Sequence, residues 1–333
     1  MGNYFHSLLS SAPQCTAEII SPKDLYNIQQ NLFYHYQIID FRSVEEFLSS
    51  HIDLAVHIDS KESFFHSPYF DSYNALIIYG NCDDTLITKL FMKLISNEIK
   101  AKVFVLDDYT SYQSRYPFLC TDNGKYKEGQ LYPSEINENV YLCNLGVATN
   151  VDVLKAIGIT HVVNCTPNSP FATKVSSTER ELDDSSLSQV ETLQTLRIPI
   201  VDDADENIGN ISHPNSLLAL CKRCTNSYQY TLWTEKYFSS SVNFIRDAIE
   251  SSEQNKVLVH CKHGQSRSAS IVAAWLIATQ GMTVEEAITY LKSCRPKVNP
   301  NLGFRMQLDT FYLSIHTVPI AQKSRNWDSL YFN

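Results

Sequence analysis

The chain has no apolar run long enough to cross a bilayer, and no charged-apolar-small leader opens it. Positive charge is also scarce: 27 Lys and Arg stand against 36 Asp and Glu, a net charge of -9. That balance argues against broad nucleic-acid binding, which needs a basic face. An anionic substrate stays open, because one site can be positive on an acidic protein. Cysteine lacks a framework. Nine residues, an odd number, stand at 15, 82, 120, 143, 165, 221, 224, 261 and 294 without paired spacing. Such a set fits free thiols in a reducing compartment and predicts a cytoplasmic location, with the nucleus as a second one. "CKRC" (Cys221 to Cys224) is a single CxxC with no second pair, two ligands short of a structural zinc. No metal or other cofactor is expected. "MGNYFHS" misses a myristoylation signal by one position, since His6 fills the slot that needs Ser or Thr and Ser7 follows it. Internal repeats are missing too.

What is present is globular. The 333 residues, 44% hydrophobic and 19% charged, give room for two domains. From about 20 to 115, short apolar runs alternate with helical stretches. "YQIIDF" (36–41), "ALIIY" (75–79) and "KVFVL" (102–106) read as buried strands, and "TLITKLFMKLI" (85–95) as an amphipathic helix. Residues 116 to 135 carry Pro, Gly and polar residues without periodicity, as a linker does. A second alternation follows, with strands expected at 139–144, 160–165, 196–201 and 256–260 and a helix at 148–158. Helices are then expected at 268–280, 283–293 and about 302–316, the second opened by Thr283 as N-cap with Glu286 at the capping-box position. Two stretches interrupt the pattern. Residues 167 to 194 are polar and Ser-rich and read as a long surface loop. Residues 210 to 236 include Tyr228, Tyr230 and Trp233, too much apolar surface for a free linker.

The chemistry concentrates in "HCKHGQSRSAS" (260–270). "KVLVHC" is a buried strand ending at Cys261, and a strong helix begins near Arg267. The loop between them, Lys262, His263, Gly264, Gln265 and Ser266, turns backbone N–H groups into one concavity at a helix N-terminus, a ready anion site. Gly264 supplies the backbone angle of a tight cradle. Arg267 can hold two oxygens of a tetrahedral dianion. Amide dipoles, the helix end and the guanidinium all favour the Cys261 thiolate, an in-line nucleophile at phosphorus. Ser268 can donate a hydrogen bond that eases the thiolate's departure. His260 would orient the loop from the strand end. Zinc binding by His260, Cys261 and His263 fails because adjacent strand residues point to opposite faces. A bare H-C-x5-R pattern arises by chance in fewer than about one in a hundred chains of this length. The added glycine, serine, strand and helix make coincidence remote.

"VHCKHGQSRSAS" resembles the signature of cysteine-based protein phosphatases, and its Ser-Arg-Ser ending is similar to the dual-specificity subgroup. The likeness runs over roughly 132 to 316. "NVYLCNLGVATNVDVLKAIGITHVVNCTP" (139–167) resembles the family's opening strand, helix and strand. "RPKVNPNLGF" (295–304) resembles its Arg-Pro-x-x-x-Pro-Asn-x-Gly-Phe segment, where the resemblance implies that Asn301 buttresses the phosphate loop. It also implies a general acid directly after a strand and five residues before an Asn-aliphatic pair. Counting back from Asn207 and Ile208 gives Asp202, with Asp203 next in line and Asp205 a solvated loop charge. The segment after Ile208 exceeds the family pattern by about 25 residues and is expected either to cover, reshape or gate the site or to form an outlying packed helix.

"IIDFRSVEEFLSSHIDLAVHID" (38–59) resembles the rhodanese-homology signature, with Asp40, Arg42, Glu45, Glu46, Phe47, His51, Ile52 and Ala55 in register. An active rhodanese carries its cysteine just after the "IIY" strand. Here Gly80 stands there and Cys82 comes two residues late, so a binding or structural module is expected. A degenerate rhodanese domain ahead of such a phosphatase resembles the architecture of the MAP-kinase phosphatases. Their docking arginine pair is missing, and only Lys61 stands in that region.

The expected fold is therefore α/β: a rhodanese-like open domain over 15–118, a linker over 119–132, and a mostly parallel, helix-flanked phosphatase domain over 133–318. Insertions fall near 167–194 and 210–236, and a tail covers 319–333. The expected activity is hydrolysis of phosphotyrosine, and of phosphoserine or phosphothreonine, in proteins. The expected partners are a phosphoprotein substrate and a MAP kinase or other protein on the rhodanese-like domain, with no nucleic acid and no membrane span. Two alternatives remain, a phosphoinositide or other non-protein phosphatase and a phosphoprotein-binding scaffold with little turnover. Gln265 stands where lipid-directed members usually carry Lys.

Overall fold

A computed structural model describes residues 17–30, 35–58, 75–81, 102–121, 130–171, 193–200 and 227–316, the last without side chains for 227–236. The chain divides into two compact units, Met1–Leu131 and Tyr132–Asn333.

The first unit is built on a parallel sheet. Its strands are β1 (Ala17–Ile20), β2 (Tyr36–Asp40), β4 (Ala55–His57), β5 (Ala75–Tyr79) and β6 (Lys102–Leu106), in the order β1-β6-β5-β2-β4. Every pairing is parallel. The central strand β5 is buried at all five positions, as its unbroken "ALIIY" run demands. The short strands β3 (His51–Ile52) and β7 (Cys120–Thr121) pair antiparallel. Helices α1 (Pro22–Gln29) and α2 (Val44–Ser49) each open with a capping box, Ser21 with Asp24 and Ser43 with Glu46. Helix α3 (Tyr109–Arg115) is capped by Asp108. The expected helix over 85–95, Lys61 and Cys82 lie outside the described residues.

Gly80 closes β5 at a φ of 98°. A side chain there would come within 2.7 Å of the Arg42 Cγ and 2.8 Å of the Arg42 nitrogen. Arg42 itself is fixed, paired with the buried Asp40 at 2.6 Å and lying 3.8 Å over the Tyr109 ring. A larger side chain at position 80 thus has no room.

The second unit has a mixed sheet in the order β11-β10-β12-β9-β8. Its strands are β8 (Ser134–Glu135), β9 (Val140–Cys143), β10 (His161–Asn164), β11 (Gln194–Arg197) and β12 (Val257–His260). Only the edge strand β8 runs antiparallel. The helices are α4 (Leu145–Ala148), α5 (Val151–Ile157), α6 (Ser227–Ser251), α7 (Arg267–Gln280), α8 (Val284–Cys294) and α9 (Leu302–His316). Thr283 caps α8 in the expected box with Glu286. Helix α7 is buried from Arg267 to Ile277, packed against α6, α8, α9 and β12, so its apolar residues need no single face. This is a mostly parallel sheet flanked by helices, an α/β fold.

Three expectations shift. The helix expected over 148–158 begins only at Val151, because the Asn150 side chain accepts from the Asp152 and Val153 amides and starts α5 there, after the separate short helix α4. The strand expected over 196–201 is Gln194–Arg197. It ends as Pro199 removes a ladder donor, although the Ile198 amide still reaches the Asn164 carbonyl at 2.9 Å. Residues 227–236 of the expected insert, given no element bounds from the sequence, are the first ten residues of α6. The remainder of that insert, the CxxC pair, the polar stretch 172–192 and the residues after 316 lie outside the described set.

Candidate active site

Strand β12 delivers Cys261 to the carboxyl edge of the sheet, between β10 and β9. The loop from Lys262 to Ser266 then returns into α7. Ser266 gives α7 no side-chain cap, so the first-turn amides face the concavity without an internal partner from that residue. Gly264 sits at a φ of 66°. A Cβ there would lie 2.5 Å from the Cys143 carbonyl carbon and 2.9 Å from the Asn144 nitrogen. Only glycine lets the loop lie this close on the end of β9.

The Cys261 sulfur is buried and accepts two hydrogen bonds at 3.1 Å, one from the Gly264 amide and one from the Ser268 hydroxyl. Burial pushes its thiol pKa up. The Ser268 hydroxyl and the backbone amides of Ser268, Gly264 and His263 outweigh that, and the pKa falls below the ordinary thiol value. The sequence assigned part of this effect to the Arg267 guanidinium. The lowering comes instead from the Ser268 hydroxyl and these backbone amides. Arg267 is itself buried, and its Nη1 donates to the Ile200 carbonyl at 3.3 Å. It therefore joins the cradle to the segment that leaves β11. The neighbouring thiols behave oppositely: burial raises the Cys143 and Cys165 pKa values. A polarised, hydrogen-bonded thiolate stands apart from inert buried thiols.

His260 is buried at the end of β12, and desolvation lowers its pKa to about 4. Its Nδ1 has no hydrogen-bond partner among the described residues. The side chains of Lys262 and His263 are exposed, and those of Gln265 and Ser266 half-buried. Beside the site, Arg197 donates to the Thr166 and Ser169 carbonyls at 3.0 Å and holds the start of the loop after β10.

Asn301 braces the loop through its backbone, whose amide donates to Ser266 Oγ at 3.2 Å. Its side-chain oxygen accepts from the Phe304 amide at 2.9 Å and caps α9. Sequence reasoning passed over a stronger brace. Arg295 Nε donates to the Gly264 carbonyl at 2.8 Å and Nη2 to the His263 carbonyl at 3.3 Å. Its signal lay in the quoted "RPKVNPNLGF". A loop that aims its amides inward must point its carbonyls outward, and those need donors. The residues brought together are thus His260, Cys261, the loop, Arg267, Ser268 and Asn301. Asp202, Asp203 and Asp205 lie outside the described residues.

A hydrogen-bonded cysteine sulfur of lowered pKa beneath a strand-loop-helix anion cradle, with an arginine at the helix start, defines a cysteine-based phosphatase. The family model for the dual specificity phosphatase catalytic domain matches residues 140–313, more than half of the chain. The chain belongs to the dual specificity phosphatase family.

Among its relatives is dual specificity protein phosphatase 1 of Arabidopsis thaliana, 29% identical over 214 residues. That match covers 64% of this chain and 78% of the relative. A Dictyostelium discoideum protein named "Probable rhodanese domain-containing dual specificity protein phosphatase" is 27% identical over 64% of this chain. The match spans 37% of that protein. The crystal structure of human DUSP28 is similar over 57% of this chain and 98% of its own, at 20% identity and a TM-score of 0.39.

Proposed function

We propose that the chain hydrolyses phosphotyrosine, and phosphoserine or phosphothreonine, in protein substrates through a cysteinyl-phosphate intermediate. One observation carries the reading: the buried Cys261 sulfur, held by the Gly264 amide and the Ser268 hydroxyl, has a depressed pKa at the floor of an anion cradle.

The Cys261 thiolate attacks phosphorus as the phosphorus–oxygen bond to the leaving group breaks. The leaving oxygen takes a proton from Asp202. Water then attacks the phosphorus of the cysteinyl phosphate and gives its proton to the now ionised Asp202. The sulfur–phosphorus bond breaks, and Ser268 stabilises the departing thiolate. Backbone amides 262 to 267 and the Arg267 guanidinium hold the phosphate oxygens, and Lys262 and His263 meet the substrate's flanks. Hydrolysis of a small aryl phosphate tests this. The reduced wild type should turn over and Cys261→Ser should not; activity surviving that substitution overturns the mechanism.

The first unit is proposed as a binding module for a protein partner, a MAP kinase or another protein. The crowded Gly80 position supports a binding role over sulfur transfer. A cytoplasmic location, with the nucleus as a second one, is supported by the described cysteines Cys120, Cys143, Cys165 and Cys261, which form no disulfide.

A further inference from the structure

The loop's five outward carbonyls are all accounted for. The Leu145 amide donates to Lys262 and the Asn299 amide to Gln265, and the Ser270 amide and hydroxyl serve Ser266. The remaining two, on His263 and Gly264, both rest on the single side chain of Arg295. Arg295 follows the end of α8, where its own amide closes on the Leu291 carbonyl at 2.8 Å. Its third nitrogen, Nη1, reaches Ser134 Oγ at 3.3 Å on the edge strand β8. The guanidinium is thus tethered away from the loop while it grips two successive peptide groups.

A planar trans peptide points its carbonyl and its N–H in opposite directions. The His263 carbonyl held by Arg295 belongs to the same peptide as the Gly264 amide that donates to the Cys261 sulfur. The Gly264 carbonyl shares its peptide with the Gln265 amide. We propose that Arg295 is a positioning residue for catalysis: by holding these two carbonyls outward, it turns the Gly264 and Gln265 amides onto the nucleophile and the phosphate.

This inference rests on the reading of Cys261 as nucleophile, and the experiment separates the two. Arg295→Lys in the full chain keeps the positive charge but has no planar fork to bridge both carbonyls. Two quantities are read: the pH midpoint of Cys261 alkylation by iodoacetamide, followed by mass spectrometry, and the inhibition constant of inorganic vanadate. The midpoint should rise, with alkylation at pH 6 slower by about tenfold and vanadate binding weaker by about tenfold, the scale of one hydrogen bond to a charged group. A purely structural role would lower the melting temperature and leave both quantities unchanged. Wild-type values of both in the folded variant overturn the proposal. If Arg295→Lys does not fold, Arg295→Gln is read by the same two measurements under the same criteria. Failure of the underlying reading would show in the wild type, as a Cys261 that alkylates at pH 6 no faster than a free thiol.

Discussion

The Ser268 hydroxyl stands 3.1 Å from the Cys261 sulfur and donates to it, although both groups are buried. In the proposed reaction the bond favours the thiolate at two moments, before attack and when the sulfur leaves phosphorus. Ser268→Ala should therefore slow breakdown of the intermediate, lowering kcat by about 10- to 100-fold. Rapid-mixing kinetics with an aryl phosphate should show a burst that the wild type lacks. The sign on pH follows from the lowered thiol: without the donor the Cys261 pKa rises, and the acid limb of the kcat/KM profile moves to higher pH. An unmoved limb would remove Ser268 from the role.

Gly264→Ala should abolish turnover without erasing the fold. The added carbon meets the Cys143 carbonyl and the Asn144 nitrogen, both backbone, so no side chain can swing aside. The positive φ adds about 1 to 2 kcal/mol of strain. Activity on an aryl phosphate should fall more than about 100-fold, the cost of displacing a preorganised oxyanion donor. Circular dichroism should still report an α/β protein.

Much of this site was legible in the chain, and the reason is local. An apolar run ending in Cys261, a glycine, and a helix that resumes at Arg267 form one strand-loop-helix unit, and short-range patterning specifies such units. The same holds for the Thr283 and Glu286 capping box. What stayed hidden depends on distant partners. Arg295 lies 31 residues from Gly264 in sequence, and its importance emerges only when each outward carbonyl is assigned a donor. The sheet order is hidden for the same reason: β12 inserts between β9 and β10, which follow each other in sequence. The break between α4 and α5 was readable but passed over, because apolar periodicity runs across Asn150 while its side chain caps a new helix. Pro199 similarly ends a strand that hydrophobicity alone would extend.

His260 makes the second unit sensitive to acid. Burial lowers its pKa to about 4, against about 6.5 in an unfolded chain. A neutral ring therefore contributes stability that is complete above pH 6.5 and is lost as the pH falls toward 4. The full shift corresponds to about 3 kcal/mol. Thermal melts of wild type and His260→Asn at pH 7.5 and pH 5 measure it. The variant should lose less stability between the two than the wild type does, and equal losses would contradict the assignment.

In the first unit, the Asp40 carboxylate is fully buried and depends on Arg42, whose Nε also lies 3.0 Å away. Arg42→Ala leaves that carboxylate unpaired and also removes the donor to the Ser50 carbonyl at 2.7 Å. Breaking a buried pair on one side costs about 3 to 5 kcal/mol. Urea unfolding should show the loss, and Asp40→Asn combined with Arg42→Ala should recover part of it. A single substitution without effect would mean that the pair is not what holds β2 and α2 together.

Asp202 is the general-acid assignment that rests on the family resemblance alone, by its five-residue distance from Asn207 and its place after the expected strand. A general acid matters in proportion to how poor the leaving group is. Asp202→Ala should lower kcat on phosphotyrosine peptides by about 100- to 10,000-fold, and much less on an aryl phosphate whose phenol is strongly acidic. Asp203→Ala should leave both rates near wild type. If the two variants exchange phenotypes, the acid is Asp203 and the count from Asn207 is off by one. The crippled variant keeps the cradle and the thiolate, so it should hold phosphorylated protein long enough for recovery from a cell extract. Vanadate, which occupies the same cradle, should release the captured phosphoprotein; capture that persists in vanadate would place the bound protein elsewhere on the chain.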